Sequence, residues 1–312
     1  MAQSFRFSPA PFIPFRDCKA IKKVLKIKKA AMTRHANKHY RIRVLPDGDI
    51  GWMWVADMVA RIKEAGEAGR PVVMITPNPC RIYIQVARLL NRLQIDCKHL
   101  HTFNMDEYAN EKGEIAPESW PFGFMHAFKK YFYTELDPKL RPAENQIHGP
   151  TTKNITSYSR MIEDQGGADI CYSGPGWTGH LAFIEPDAPE FKAKDLKAWM
   201  NMEARVCRLS PFTLAQNSLH GSFGQSGNLT AVPPYAATIG PIDVVRAQHR
   251  IDIHSLRIDD SQASWQRLIT RLCLHGPVTP LVPTSMLQLL NTDVWVSESS
   301  AEDIGPRWHK EY

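Results

Sequence analysis

Residues 71–104 read PVVMITPNPCRIYIQVARLLNRLQIDCKHLHTFN, and the order of elements in this segment indicates the class of fold. Residues 71–75 form an apolar run that ends at turn residues, which predicts a buried strand. Residues 83–93 carry apolar side chains at helical spacing, and residues 100–104 predict a second strand. Strands separated by helices are typical of a mainly parallel sheet that is covered on both faces.

The same alternation continues on both sides of this segment. Residues 40–45 predict a strand, followed by a turn in which Asp49 caps a helix over residues 50–68. The other predicted elements are a helix over 120–133 and strands over 168–172, 236–239 and 250–258. We therefore predict an α/β fold, a three-layer Rossmann-like mainly parallel sheet with helices on both faces. Because residues 40–312 contain no internal repeat or linker, we expect them to form a single domain after an extension of residues 1–39.

The composition is that of a globular protein, since 43% of the 312 residues are hydrophobic and 22% are charged. Charged residues or histidine interrupt every apolar run before it reaches the roughly 20 residues of a membrane span, which excludes a transmembrane protein. Residues 1–17 lack the apolar core of a secretory signal, and the six cysteines form no CxxC pair. We therefore expect a cytoplasmic protein without a disulfide framework, a metal site or a membrane partner.

Positive charge is concentrated near the N-terminus. Residues 1–50 hold 12 Lys or Arg and three Asp, a net charge of +9, whereas the remaining residues hold 26 Lys or Arg and 29 Asp or Glu, a net charge of −3. Residues 19–29 read KAIKKVLKIKK, which predicts a cationic helix with a loose apolar face. One short basic helix without aromatic residues gives little support for a nucleic-acid partner. We expect this extension to pack on the body of the protein or on a neighbouring subunit.

Sheets of this kind bind ligands where loops follow the carboxyl ends of the strands. Three such loops carry polar clusters: TPNPCR at residues 76–81, NMDEY at 104–108 and SGPGWTGH at 173–180. In the second loop, Asp106 is either a proton-transfer base or a cap of the next helix. In the third loop, glycines that allow close backbone approach precede His180, and Glu185 follows it. His180 is either oriented by this carboxylate or is a buried structural histidine.

Taken together, these motifs resemble those of a known family. TFNMDEY at residues 102–108, PESW at 117–120 and Gly-x-x-Gly-His-Leu-Ala-Phe-x-Glu-Pro at 176–186 are similar to motifs of the glucosamine-6-phosphate deaminase/isomerase family. The resemblance covers about residues 40–295 and leaves out the extension. The related 6-phosphogluconolactonases share the fold but typically have Asp-Glu-Arg where this chain has Asp106-Glu-Tyr108, so the chain resembles them less.

The resemblance implies an aldose–ketose isomerisation, which needs a base that moves a proton between C2 and C1 and a group that opens the sugar ring. Asp106 would be the C2 base, His180 would carry the ring-opening proton, and Glu185 would orient His180. A 2-amino sugar would then lose ammonia, and no metal or organic cofactor would be needed. Members of the family are commonly oligomeric, so a homo-oligomer that binds a sugar or sugar phosphate is expected. The residues expected to bind the substrate are Thr76, Asn78, Arg81, Glu107, Gly174, Gly176, Thr178, Gly179 and Arg205.

The chain also departs from the family pattern. Thr178 stands where the family has an aspartate two residues before the histidine, and a threonine cannot carry negative charge. Residues 76–81 stand in place of a glycine-rich phosphate-binding loop and include two prolines, which have no N–H group to donate. Leu219 and Ala263 stand where an arginine and a lysine are expected.

These departures leave the substrate open. A buried phosphate needs cationic or N–H partners, which Arg81, Arg205 or Arg208 would have to supply if the substrate is phosphorylated. Two alternatives to an isomerase or deaminase therefore remain, a catalytically weak sugar-binding protein and a lactonase-type hydrolase. Release of ammonia would distinguish a deaminase from both.

Overall fold

The computed structural model of this chain describes residues 7–258 and 261–305. Within them, the strands are β1 (Tyr40–Leu45), β2 (Val72–Thr76), β3 (Leu100–Asn104), β4 (Asp106–Ala109), β5 (Ile147–His148), β6 (Ile170–Ser173), β7 (Arg205–Arg208), β8 (Tyr235–Thr238), β9 (His249–His254), β10 (Arg257–Ile258), β11 (Ser261–Gln262) and β12 (Thr292–Ser297).

The α-helices are α1 (Cys18–Val24), α2 (Asp49–Glu67), α3 (Tyr83–Leu93), α4 (Phe124–Phe128), α5 (Tyr158–Asp164), α6 (Leu196–Met200), α7 (Pro211–Asn217), α8 (Pro241–Arg246), α9 (Gln266–His275) and α10 (Glu298–Ala301). A π-helix over Lys129–Tyr133 continues α4, and 3-10 helices span Lys29–Ala31, Glu144–Gln146, Ile155–Ser157, Pro189–Phe191, Gly221–Phe223, Leu229–Ala231 and Pro283–Leu289. No described helix has both the length and the hydropathy of a membrane span.

Seven strands form the main sheet, in the spatial order β1, β12, β9, β6, β2, β3 and β5. Each neighbouring pair in this sheet is parallel. Parallel neighbours bring the carboxyl ends of their strands to the same edge, so the loops that follow β2, β3, β6 and β9 lie near one another. The predicted α/β fold is therefore confirmed.

Helices cover both faces of the main sheet. On β2, Val72 and Met74 pack in one apolar cluster with side chains of α2, α3 and α4. Val73 and Ile75 belong to the other cluster, which includes side chains of α1, α5, α8 and α9. Successive side chains of a strand point to opposite faces, so the apolar run that predicted this strand supplies both cores. The predicted three-layer arrangement is confirmed.

A second, smaller sheet is antiparallel and lies outside the main sheet. It pairs β4 with β8 and β8 with β7, and Asp106 is opposite Thr238. The strand predicted over residues 236–239 is present as β8, but its assignment to the mainly parallel sheet was wrong. Its apolar pattern predicts a strand and does not identify the partner strand. This sheet holds the residue that was predicted to be a base.

The boundaries of several elements differ from the predictions. The helix predicted over 120–133 starts only at Phe124, because residues 121–123 form a turn in which Gly123 N–H donates to the Trp120 carbonyl. The predicted cap at Asp49 is wrong, since Gly48 occupies the cap position and Asp49 is the first residue of α2. The strand predicted over 250–258 ends at His254, and β12 was not predicted.

The basic extension packs on α9 and on residues 301–302, which follow β12. Val24 is 1% exposed and Met32 is fully buried in the same apolar cluster as α9. The Arg271 guanidinium in α9 donates from Nε to the Ile27 carbonyl, and its Nη2 donates to the Ala301 carbonyl. The helix predicted over residues 19–29 is shorter than expected, since α1 ends at Val24.

Candidate active site

A cavity of about 480 Å³ lies at the carboxyl edge of the main sheet. Its walls come from all three of the loops singled out in the sequence. Of the predicted site residues, those that line it are Asn78, Arg81, Asp106, Gly174, Gly176 and His180. A cavity of this size falls in the usual range for a small-molecule site.

Asp106 reaches the cavity from β4. Its side chain is buried, and Oδ1 has no hydrogen-bond partner within residues 7–258 and 261–305. Burial, and to a smaller extent the neighbouring Glu107 carboxyl, raise the pKa of Asp106 well above its ordinary value. An unpaired carboxyl oxygen at a cavity wall is available to a ligand, so the geometry is suited to proton transfer.

Glu107 points away from the cavity and holds the start of α4. Its Oε1 accepts hydrogen bonds from the N–H groups of Tyr108 and Phe124 at 2.9 and 3.0 Å, and its Oε2 accepts one from Met125 at 2.8 Å. Burial raises the pKa of Glu107 to about 7, although these three hydrogen bonds act in the opposite direction. The geometry therefore does not support the predicted role of Glu107 in substrate binding, because both of its carboxylate oxygens accept hydrogen bonds from backbone N–H groups. Of the two carboxylates, Glu107 is the one that caps the next helix.

His180 lies at the end of the glycine-rich loop, with Nδ1 turned toward three oxygens. Nδ1 is 2.9 Å from Thr178 Oγ1, 3.1 Å from Thr213 Oγ1 and 3.5 Å from Glu185 Oε2. Thr178 Oγ1 also donates to Glu185 Oε2 at 3.2 Å, so this hydroxyl bridges the two ionisable groups. His180, Glu185 and Thr213 are buried. Glu185 and Thr178 do not line the cavity, and both contact His180, which does.

The glycines of this loop allow close packing of the backbone around His180. A Cβ on Gly176 would overlap the His180 ring, and one on Gly174 would press on the Ile253 carbonyl oxygen. Gly179 has a φ of +77°, which favours glycine, and a Cβ there would collide with Val282. The Gly176 contact makes this glycine necessary for the position of His180, and the contacts at Gly174 and Gly179 make those glycines necessary for the path of the loop.

The loop after β2 is tied to β3 by amide and hydroxyl groups. Asn78 Nδ2 donates to Asn104 Oδ1 at 3.0 Å, and Thr76 Oγ1 lies 3.4 Å from the same oxygen. Thr76 is fully buried and does not line the cavity, so its predicted contact with the substrate is not supported by its position. Asn78 Oδ1 has no hydrogen-bond partner in the described part of the chain.

Arg205 lies away from the cavity. Its Nη1 donates to the Glu190 carbonyl at 2.9 Å, and its guanidinium lies over the Phe191 ring. A ligand role for Arg205 is therefore not supported by the geometry. Leu219 and Ala263 do not line the cavity either.

Several lining residues were not predicted as site residues, notably Trp54, Asn217, His220 and Arg257. Arg257 follows the carboxyl end of β9, and the strand predicted as far as residue 258 concealed it. Asn217 is buried and its Nδ2 has no partner in residues 7–258 and 261–305. Thr213 carried no sequence signal of its own, because its contact with His180 joins residues 33 positions apart. Among the described residues, no group of three or more potential metal ligands is present.

Comparisons with known proteins identify relatives of this chain and of its fold. No protein-family model matches the chain. It is 31% identical over 270 residues to glucosamine-6-phosphate deaminase from Porphyromonas gingivalis, covering 84% of this chain and 92% of that protein. It is 29% identical over 198 residues to glucosamine-6-phosphate deaminase from Caenorhabditis elegans, covering 61% and 66% of the two chains.

Solved structures share the fold. A monomeric glucosamine-6-phosphate deaminase matches with a TM-score of 0.68 and 18% identity, over 83% of this chain and 98% of that one. The 6-phosphogluconolactonase from Leishmania guyanensis matches with a TM-score of 0.59 and 12% identity, over 86% and 99%. At these identities the structural matches support the fold, and the sequence relatives identify the family.

Proposed function

Since the chain belongs to the glucosamine-6-phosphate deaminase family, we propose that it catalyses aldose–ketose isomerisation of an amino sugar or its phosphate, with or without loss of ammonia. The observation that carries this proposal is that Asp106 and His180 line one cavity, each with a nitrogen or oxygen suited to proton transfer. Both residues belong to the loops whose motifs resemble the family.

Asp106 is the proposed base at C2. Its carboxylate removes the C2 proton and returns a proton to C1, which interconverts the aldose and ketose forms through an enediol-type intermediate. Burial raises the pKa of Asp106, so its carboxylate is a stronger base than that of an exposed aspartate. For a 2-amino sugar, transfer of the proton to C1 leaves an imine at C2, and water hydrolyses this imine to a ketose and ammonia.

His180 is the proposed group for ring opening. The ring opens when the anomeric hydroxyl loses a proton and the ring oxygen gains one, and Nε2 serves both steps because Nδ1 is turned toward Thr178, Thr213 and Glu185. Glu185 orients His180 through the Thr178 hydroxyl. The proposed site uses no metal or organic cofactor.

The residues that line the cavity also affect which substituent at C6 of a sugar can be bound, a hydroxyl or a phosphate. Pro77 and Pro79 give this wall no N–H donors, whereas Arg81 and Arg257 line the same cavity and supply positive charge. A sugar with a free hydroxyl suits the first feature, and a phosphate suits the second. The experiment therefore includes both kinds of sugar.

The test is to incubate the purified protein in deuterated water with amino sugars and sugars, each with and without a 6-phosphate. Deuterium at C2 and release of ammonia are measured together. Exchange at C2 with at least one compound supports the proposal, and ammonia release identifies a deaminase. Hydrolysis of a sugar lactone without C2 exchange would replace it with a lactonase activity. Thermal stabilisation by a sugar without any turnover would replace it with sugar binding alone.

A further inference from the structure

The surroundings of His180 Nδ1 contain a hydroxyl bridge. The direct distance from Nδ1 to Glu185 Oε2 is 3.5 Å, which is long for a hydrogen bond. Thr178 Oγ1 closes this gap, at 2.9 Å from Nδ1 and 3.2 Å from Oε2. The other carboxylate oxygen of Glu185 accepts the Ser210 N–H at 3.2 Å, which holds Glu185 in place.

The direction of the hydrogen bonds in this bridge is fixed by the chemistry of its members. A threonine hydroxyl has a single proton, and Thr178 donates it to Glu185 Oε2. Thr178 Oγ1 can therefore only accept a hydrogen bond from His180 Nδ1. Resting His180 then carries its proton on Nδ1 and presents an unprotonated Nε2. This is the tautomer that can take a proton from a sugar hydroxyl.

Thr213 contacts the same nitrogen from α7. Its Oγ1 is 3.1 Å from Nδ1, and it makes no other side-chain hydrogen bond to a described residue. A hydroxyl that is not committed elsewhere can accept from a protonated Nδ1 or donate to an unprotonated one. Thr213 can therefore hold the imidazole in either tautomer.

We propose that the Thr178 hydroxyl relays a proton between His180 and Glu185, and that Thr213 is a positioning residue that holds the imidazole at this bridge. The inference rests on the proposed function. When the anomeric hydroxyl of the sugar gives its proton to Nε2, the Nδ1 proton moves to Thr178 Oγ1 and the proton of Thr178 moves to Glu185. His180 stays neutral and changes tautomer, and Glu185 becomes protonated.

The return steps complete the ring opening. The Nε2 proton moves to the ring oxygen as the bond between C1 and that oxygen breaks and C1 becomes a carbonyl. Glu185 gives its proton back to Thr178, and Thr178 gives one to Nδ1, which restores the starting state. The relay avoids an imidazolium at a buried position, where loss of hydration disfavours the charged form. It thus assigns a role to a residue that cannot itself carry charge.

The first test reads the tautomer of His180 without any substrate. Nitrogen NMR of protein labelled with 15N-histidine, assigned with a His180→Gln variant, reports which ring nitrogen carries the proton. We expect Nδ1–H in the wild type and in Thr178→Ser. In Thr178→Val, we expect a mixture of tautomers, because Thr213 alone supports both. A wild type with the proton on Nε2 would overturn the relay.

The second test measures C2 exchange with the substrate that the wild type accepts. Thr178→Val is expected to lower kcat about a hundredfold with little change in KM, and Thr178→Ser to keep most of the activity. Thr213→Val is expected to lower kcat about tenfold, with recovery in Thr213→Ser. In mixtures of light and heavy water, the wild-type rate should depend on more than one proton and the Thr178→Val rate on one.

The two tests separate the relay from the proposed function. If the wild type exchanges no sugar at C2, the proposed function fails, and the NMR result still decides the direction of the hydrogen bonds. If the wild type is active and Thr178→Val keeps the wild-type kcat, the relay fails while the function stands. If Thr213→Ser is as impaired as Thr213→Val, the role of Thr213 as a hydroxyl partner is rejected.

Discussion

At the scale of single residues, Asp106 and Glu107 are adjacent carboxylates with different tasks. Asp106 lines the cavity and has an oxygen without a partner in the described residues, whereas Glu107 accepts three backbone hydrogen bonds at the start of α4. Alternation along β4 explains the difference, because neighbouring side chains of a strand point in opposite directions. The environment of each carboxyl, rather than its residue type, determines what it does.

The pH dependence of activity should report Asp106. Its pKa is raised by burial and by Glu107, and only the ionised form can remove a proton from C2. We expect kcat/KM to rise with pH through this raised pKa, so its acid limb should lie well above that of an exposed aspartate. A pH–rate profile of C2 exchange measures this limb. A limb at the ordinary pKa of aspartate would show that another group is the base.

The pH dependence of the free energy of unfolding should report the ionisation of Glu107. Because burial raises its pKa to about 7 from an ordinary value of 4.5, the folded protein binds this proton more tightly than the unfolded chain. The contribution of Glu107 to the free energy of unfolding therefore decreases as the pH rises from about 4.5 to 7. We expect the unfolding free energy of the wild type minus that of Glu107→Gln to decrease over this range. Urea denaturation at several pH values measures this signed difference, and an increase with pH would contradict the assignment.

At the scale of elements, the glycine-rich loop after β6 determines where His180 lies. A Cβ on Gly176 would overlap the His180 ring, so Gly176→Ala should displace the imidazole and lower C2 exchange at least a hundredfold. Gly48→Ala is a matched control, because a Cβ there has no neighbour within 4 Å and φ is −70°. Both variants should remain folded by circular dichroism. Equal activity in the two variants would mean that the position of His180 does not matter.

Elements with a strong local pattern could be predicted from the sequence. β2 and α3 were found from an apolar run and a helical spacing, and the helix was predicted over the same residues, Tyr83–Leu93. The sequence did not reveal that β4, β7 and β8 form a separate antiparallel sheet, because a strand pattern does not specify its partners.

The same limit applies to the site. Asp106, His180 and Glu185 were chosen from local motifs, and their distances to one another follow only from the fold. Thr213 and Arg257 reach the site from α7 and from β10, far away along the chain. Arg205 carries a suitable charge but is held by the Glu190 carbonyl outside the cavity. Contacts between distant segments were thus the part that sequence patterns could not supply.

At the scale of the whole molecule, the basic extension is packed with the body of the protein. Val24 of α1 is 1% exposed in the larger apolar cluster, whereas Lys23 beside it is exposed. We expect Val24→Ala to lower the free energy of unfolding by about 2 kcal/mol, and Lys23→Ala by less than about 0.5 kcal/mol. Thermal or urea unfolding measures both. Equal effects would mean that the extension does not contribute to stability through this contact.

The central claim is that Asp106 moves the C2 proton of a sugar, and the most direct measurement is deuterium incorporation at C2 in heavy water by the wild type and by Asp106→Asn. Asparagine keeps the size of the side chain and cannot act as a base at this position. The account predicts that the wild type incorporates deuterium and that Asp106→Asn does not, while the variant still binds the sugar and is stabilised by it against heat. Deuterium incorporation by Asp106→Asn at the wild-type rate would contradict the account.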